Sequence, residues 1–186
     1  MKRPDSAGRV NRVTAFVIAV ALPVLLAGCF GKTSAEDVTC PSGGAVPGLA
    51  VAPQFGPRPG RTPNDVTAAA RILAVKTTCS QEKTGIHVDV DVAFSAVRGS
   101  SQLRDAQFTY FVAVVDSASN ILNEKRFVLP VHFAGAESFR ALDDKITVHL
   151  PVQRVSQGSN YGVVAGFQLT QDQIRFNNAQ QQQPAQ

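Results

Sequence analysis

Ile86-His87-Val88-Asp89-Val90-Asp91-Val92-Ala93-Phe94 alternates without a break. In an extended chain Ile86, Val88, Val90, Val92 and Phe94 fall on one side, and His87, Asp89, Asp91 and Ala93 on the other. A period of two is the signature of a strand, and one apolar face against one polar face marks a half-buried strand of an antiparallel sheet. This is the cleanest periodic signal in the chain, and its neighbours are read from it.

Upstream, Ser80 to Gly85 reads as a turn. Val66 to Thr78 has alanines that would suit a helix, but Ile72 and Ala74 alternating with Leu73 and Val75, followed by Thr77-Thr78, favours a strand running into Cys79. Downstream of a loop at Arg98 to Gln102, Gln107 to Val115 is apolar on both faces, which predicts a central strand. Asp116 to Asn120 is a polar turn, and Ile121 to Phe133 returns as the second arm of a hairpin; Pro130 in that arm predicts an edge or a bulge.

Ala134 to Asp144 reads as a polar connection with room for a helical turn, Lys145 to Pro151 as a short strand with Ile146, Val148 and Leu150 inward, and Gln153 to Asn160 as a turn. The last strand is Tyr161 to Thr170, where Gly162 and Gly166 permit a close neighbour. Thr170 is placed to cap a short helix, Gln171 to Phe176, and the Gln-rich 177–186 segment is too polar to fold.

Six or seven strands at hairpin spacing with little helix predict an all-β domain over 65–176, an antiparallel two-sheet sandwich of immunoglobulin-like architecture with a short C-terminal helical turn. The chain has no tryptophan, so the immunoglobulin likeness is architectural. A lipocalin-like barrel is the alternative and needs more strands than the chain readily supplies. Between 29 and 64 the chain is rich in glycine and proline: Pro47, Pro53, Pro57, Pro59 and Pro63 exclude helix. Ala45 to Phe55 is apolar enough to lie on the domain as an edge strand, and Gly56 to Arg61, with Arg58 and Arg61, reads as an exposed loop.

The N-terminus carries an address. Lys2, Arg3, Arg9 and Arg12 precede an apolar run, Val13 to Leu26, of about fourteen residues, too short to span a bilayer as a helix and typical of a secretion signal over 1–28. Leu26-Ala27-Gly28-Cys29 resembles the lipobox of bacterial lipoproteins. That resemblance implies cleavage before Cys29, a diacylglyceryl thioether on its sulfur and acylation of its new amino group. Two or three acyl chains anchor stably where one binds marginally. Phe30, rather than an aspartate, follows the cysteine, which points to the inner leaflet of the outer membrane with the domain facing the periplasm and 31–37 as a polar tether.

Removal of 1–28 leaves 186 − 28 = 158 residues, the length of one domain. The formal charge of +4 falls with it: the signal holds four of the 18 Lys and Arg and one of the 14 Asp and Glu, leaving 14 − 13 = +1. With no Lys/Arg cluster, the chain has no electrostatic footprint for nucleic acid. Cys40 and Cys79 remain, and an oxidising compartment favours a disulfide closing a loop of about forty residues; two free thiols or metal ligation are the alternatives, the latter without Cys-x-x-Cys spacing.

Cys40-Pro41, Cys79 before the alternating strand, Tyr110-Phe111-Val112-Ala113-Val114 and Gly166-Phe167-Gln168-Leu169-Thr170 together resemble a group of uncharacterised alphaproteobacterial lipoproteins. Members often carry a tyrosine near the end, where this chain has Arg175-Phe176-Asn177. The resemblance implies class and location, and no activity.

His87, Asp89 and Asp91 lie on one face at ~6.6–7 Å intervals, too wide to share an ion without donors such as His132 or His149 from a neighbouring strand; the simpler reading is a solvated polar face, and no metal site is expected. Asp143-Asp144 beside Lys145 reads as a solvated pair. Gly-x-Ser-x-Gly, His-Glu-x-x-His and Ser-x-x-Lys are not found, and Ser42-Gly43-Gly44 lacks the helix and lysine of a phosphate loop. No catalytic residue and no cofactor is expected. The expectation is a non-catalytic envelope interaction or scaffold module, working through an exposed edge at Ala45–Phe55 or at the Pro130 arm toward an envelope protein partner. The alternative is a carrier with a hydrophobic ligand between its sheets.

Overall fold

The alternation at Ile86–Phe94 is realised in the computed structural model, which describes residues 37–57 and 59–182, as the middle of a longer strand. The expected secretion signal, Cys29, most of the expected tether, Arg58 and the last four residues lie outside the described residues. Among the described residues eight strands run in the order β1 (Ser42–Ala45), β2 (Val51–Phe55), β3 (Val66–Glu82), β4 (Gly85–Arg98), β5 (Asp105–Asp116), β6 (Ile121–His132), β7 (Phe139–Leu150) and β8 (Tyr161–Phe167), followed by a helix, α1 (Gln171–Gln181). They form two four-stranded sheets, β1-β8-β5-β6 and β2-β3-β4-β7. Every pairing is antiparallel except β1 with β8. This is the predicted sandwich, and not a barrel.

The core fills the space between the sheets. Ile86, Val88, Val90, Val92 and Phe94 of β4 are all buried, facing Phe108, Tyr110, Val112 and Val114 of β5 and Val163, Ala165 and Phe167 of β8. The ring of Phe94 meets Tyr110 edge-on at 4.9 Å and Phe167 at 6.0 Å, so aromatic packing joins the sheets at their centre. β5 is central, as its two apolar faces predict; on its outer side Phe111 lies over Gly166, where a Cβ would sit 2.8 Å from the ring.

Three expectations are corrected. Ala45–Phe55 is not one edge strand: a turn at Val46–Leu49, with Leu49 N–H donating to Val46 O at 3.0 Å, divides it between the two sheets. Pro47 sets the first central position of that turn and Gly48, at φ 81°, supplies the positive φ required at the second. The connection after Phe133 is only 134–138, closed by Glu137 N–H on Ala134 O; strand begins at Phe139, because Leu142 and Arg140 continue the inward row of Ile146, Val148 and Leu150. Finally, the polar 177–186 segment does not begin unfolded. α1 continues to Gln181 because its polar side chains have partners on the sheet: Asn177 is buried, its amide donating to Val51 O at 2.8 Å. The start of α1 is as predicted, with Thr170 accepting from Gln173 N–H and the Gln173 side chain returning to Thr170 N–H.

The hairpin turns follow local chemistry. Between β5 and β6, Asp116 accepts from Asn120 Nδ2, Asn120 N–H and Ala118 N–H, and these bonds, the Asn120 side chain foremost, hold its carboxyl below the usual range.

Cys40 and Cys79 are bonded, with Cα atoms 5.6 Å apart. Cys40 leads into β1 of one sheet while Cys79 lies in β3 of the other, so the bond ties the sheets together along one side. Next to it Thr77 Oγ1 donates to Pro41 O at 2.7 Å, and Gly43 sits so near β3 that a Cβ there would be 2.5 Å from Val75 O.

Two stability changes follow. Cys40→Ala with Cys79→Ala is expected to lower the thermal midpoint, with a chain-entropy loss of up to ~4 kcal/mol, and the wild-type chain in reductant should melt with the variant in a circular-dichroism scan. Gly43→Ala should cost about 1–3 kcal/mol by forcing β1 off β3, whereas Gly44→Ala, whose Cβ meets nothing within 4 Å, serves as the near-neutral control in the same denaturant titration.

Candidate functional site

An open sandwich has four sheet edges, and here they are β1, β2, β6 and β7. Their exposed backbone groups are identified by the ladder alternation. Ile72 N–H donates to Ala50 O, so in the β2–β3 ladder Val51 and Pro53 point their backbone groups away from β3. Those two outward carbonyls are the acceptors that α1 reaches: Asn177 Nδ2 donates to Val51 O at 2.8 Å and Gln173 Nε2 to Pro53 O at 2.6 Å. Asn177 and Gln173 are four apart and therefore share a helix face. Phe176 packs edge-on against Phe55 at 5.2 Å, and Arg61 pairs with Asp172 at 3.0 Å. α1 thus covers the β2 edge, while β1 lies against β3 beside the disulfide.

β6 and β7 stand on the other side. Phe133 N–H donates to Arg104 O, which turns the even-numbered backbone groups of β6 outward. Pro130 is one of these, so its missing N–H costs no ladder bond and leaves a gap in the open edge, as the edge prediction requires. The same edge carries Glu124 and Arg126, paired at 3.0 Å. In β7, Arg98 N–H donates to Ser138 O, so the odd-numbered residues, Phe139 to His149, direct their amides to the open edge, and none is a proline. Exposed apolar side chains collect on these strands: Ile121, Leu122 and Val128 on β6, and Phe139 on β7 beside its register partner Val97.

Between the two edges runs a groove of about 590 Å³ lined by Ala106, Val131 and Leu142, with Arg140, Asp105 and His132 among its polar groups. Two inward positions of β7 in this region are charged. Tyr110 Oη, from the opposite sheet, donates to Asp144 Oδ2 at 2.5 Å. Burial first, and then the adjacent carboxylate, push the Tyr110 phenol far above its ordinary range. Arg140 Nη1 donates to Glu137 at 3.3 Å, but its buried Nε has no hydrogen-bond partner among the described residues. Asp143 and Asp144 are therefore not an equivalent solvated pair: Asp143 faces out and Asp144 in. The signal was available in the alternation with Ile146, Val148 and Leu150, once the strand is begun at Phe139.

The polar face of β4 does meet its neighbours. His87 and His149 are directly opposed across β4 and β7, and both contact Glu82, at 3.1 and 3.0 Å; His87 also contacts Asp89 at 3.2 Å, and Thr147 donates to Asp89 at 3.1 Å. Asp91 pairs with Lys145 at 3.5 Å, and His132 lies apart, on Asp105. Among the described residues no group of three or more His, Cys, Asp or Glu is arranged to hold a metal ion.

A scan against protein-family models finds no match for the chain, and a search of curated proteins finds none. No helix among the described residues is long and apolar enough to cross a membrane.

Tyr110→Phe leaves the inward-facing Oδ2 of Asp144 without its Tyr110 donor and is expected to cost about 1–3 kcal/mol in a urea titration. Because the folded-state phenol is raised, its contribution is complete below the unfolded value of about 10 and is lost as pH rises beyond it. Absorbance titration should therefore show the Tyr110 phenolate appearing together with alkaline unfolding.

Proposed function

We propose that this chain is a lipid-anchored, periplasm-facing and non-catalytic interaction module of the bacterial envelope, held by acyl chains on Cys29 in the inner leaflet of the outer membrane and offering the open β6–β7 side of its sandwich to a protein partner. The observation that carries the interaction reading is the asymmetry of the edges. One side is tied by a disulfide and covered by α1, while β7 on the other keeps a row of outward amides without a proline to interrupt it. An uncovered strand edge is a template for another strand, with main-chain bonds supplying affinity and alternate side chains specificity. The lipobox-like Leu26-Ala27-Gly28-Cys29 supports the anchor. Tethering confines the module to a surface and raises its effective concentration toward other envelope components.

The carrier alternative has less support. Phe94, Tyr110, Phe133 and Phe167 fill the centre between the sheets as fully buried side chains, which leaves the open-sided groove beside Leu142 as the place a hydrophobic ligand would need.

Cys29→Ala is expected to abolish acylation and move the protein from the membrane to the soluble fraction of fractionated cells; an acylated Cys29→Ala protein refutes the anchor. A photo-cross-linking residue at Thr147, on the outer row of β7, should capture a protein in intact envelopes, and one at Ser80, on β3, should not. Failure to capture any protein at Thr147 refutes the interface.

A further inference from the structure

We infer that the occupant of the β7 edge is a second copy of this chain, joined by antiparallel addition of β7 to β7 about a two-fold axis at Leu142. The inference rests on the reading of the open side as an interface and names its partner; the lipid anchor plays no part in it.

The argument begins with Arg140 and Asp144, inward-facing charges on an exposed edge strand. Such charges discourage edge pairing unless the incoming strand brings their counter-charges. Around Leu142 the strand is self-complementary. A two-fold there sets Leu142 against its copy, Arg140 against Asp144 of the partner and Asp144 against the partner's Arg140. On the outer face it sets Ala141 opposite Asp143, and Phe139 opposite Lys145, a ring beside a cation. The axis at Leu142 also suits the backbone. Odd-numbered residues point their amides to the open edge, so Ala141 and Asp143 become the hydrogen-bonded pair, while Leu142 and the Arg140–Asp144 pairs occupy the positions where side chains approach most closely.

Other registers fail on charge. An axis at Asp143 opposes two Asp143 side chains, one at Asp144 opposes two inward carboxylates, and one at Lys145 opposes two lysines; like charges directly opposite are destabilising. An axis at Ala141 opposes no charges but pairs none. A slip to an odd register turns the inward row outward. Of the axes from Ala141 to Lys145, the one at Leu142 matches opposite charges on the inward row without opposing like ones.

Each single chain also has capacity for the contact. Among the described residues only Nη1 of the partly exposed Arg140 guanidinium has an acceptor, Glu137 at 3.3 Å, which leaves Nη2 for an incoming carboxylate. Asp144 accepts from Tyr110 on Oδ2 and from Lys145 N–H on Oδ1, leaving lone pairs on a carboxylate that has about four. β6 is the poorer candidate, since Pro130, near its C-terminal end, removes an outward donor from its edge.

The test uses full-length chains carrying two different affinity tags, co-expressed and extracted in detergent, with capture of one tag read for the other. Wild-type copies are expected to co-isolate. Arg140→Asp alone sets acid against acid and Asp144→Arg alone base against base, and each should reduce self-capture at least tenfold. An Arg140→Asp copy paired with an Asp144→Arg copy restores both ion pairs and should recover capture. Since Asp144→Arg also removes the Tyr110 acceptor, Ala141→Pro is the second variant: it deletes an outward N–H and leaves the ladder to β4 intact, so it should lose self-capture while keeping the wild-type melting profile. Absence of wild-type self-capture, or its persistence in both Arg140→Asp and Ala141→Pro, overturns the inference. The Thr147 cross-link separates it from the broader reading. A product of this chain with itself supports both, a product only with a different protein leaves the interface and overturns the second copy, and no product overturns both.

Discussion

Unpaired backbone amides at the sheet edges are the constraint on which this structure turns. A two-sheet sandwich that does not close into a barrel carries four such rows, each needing solvent, a side chain, another element or another molecule. The chain covers one of these rows, that of β2, with its own C-terminal end. The segment before β3 crosses from one sheet to the other at Pro47-Gly48, contributing an edge strand to each, and the C-terminal helix lays two side-chain amides on the outward carbonyls of β2. The Cys40–Cys79 bond sits on this same side, where it limits how far the sheets can separate.

On the proposed reading, function on this scaffold is a question of surface. The facing sheets are joined by aromatic packing around Phe94, Tyr110 and Phe167, and the two histidines opposed across β4 and β7 share a single carboxylate on an exposed face. What distinguishes one part of the molecule from the rest is the side where β6 and β7 end the sheets with no covering element among the described residues. The two strands differ: β6 carries a proline at an outward position and a paired acid and base, while β7 carries an uninterrupted outward row with two inward charges. This difference gives the open side its polarity and makes β7 the strand that can be extended.

Much of the fold was legible because burial on one face imposes a period of two. β4 is the clearest case: Ile86 to Phe94 alternates in sequence and is buried on alternate residues. The central place of β5, the N-cap at Thr170, the close approach at Gly166 and the edge position of Pro130 were legible for equally local reasons. The start of β7 was not, since Arg140 and Asp144 occupy inward positions and erase the apolar half of the pattern over Phe139 to Asp144. The helical 177–181 segment was not either: glutamines and asparagines have no apolar face to bury, and Asn177 is ordered by carbonyls some 126 residues away in the chain.

The amino-acid sequence by itself determined the class of the fold and carries the lipobox-like pattern at Cys29, since both rest on residue type and short-range spacing, whereas it left free thiols and metal ligation open beside the Cys40–Cys79 bond that the structure shows. Tertiary structure decided which edges are covered and which are open, and it supplied the partner of Asp144, Tyr110 of the other sheet. The physical reason is that an edge is defined by what does not pair with it. That depends on the crossing at Pro47-Gly48 and the docking of α1, which bring together residues far apart in the chain and leave no periodic mark in it.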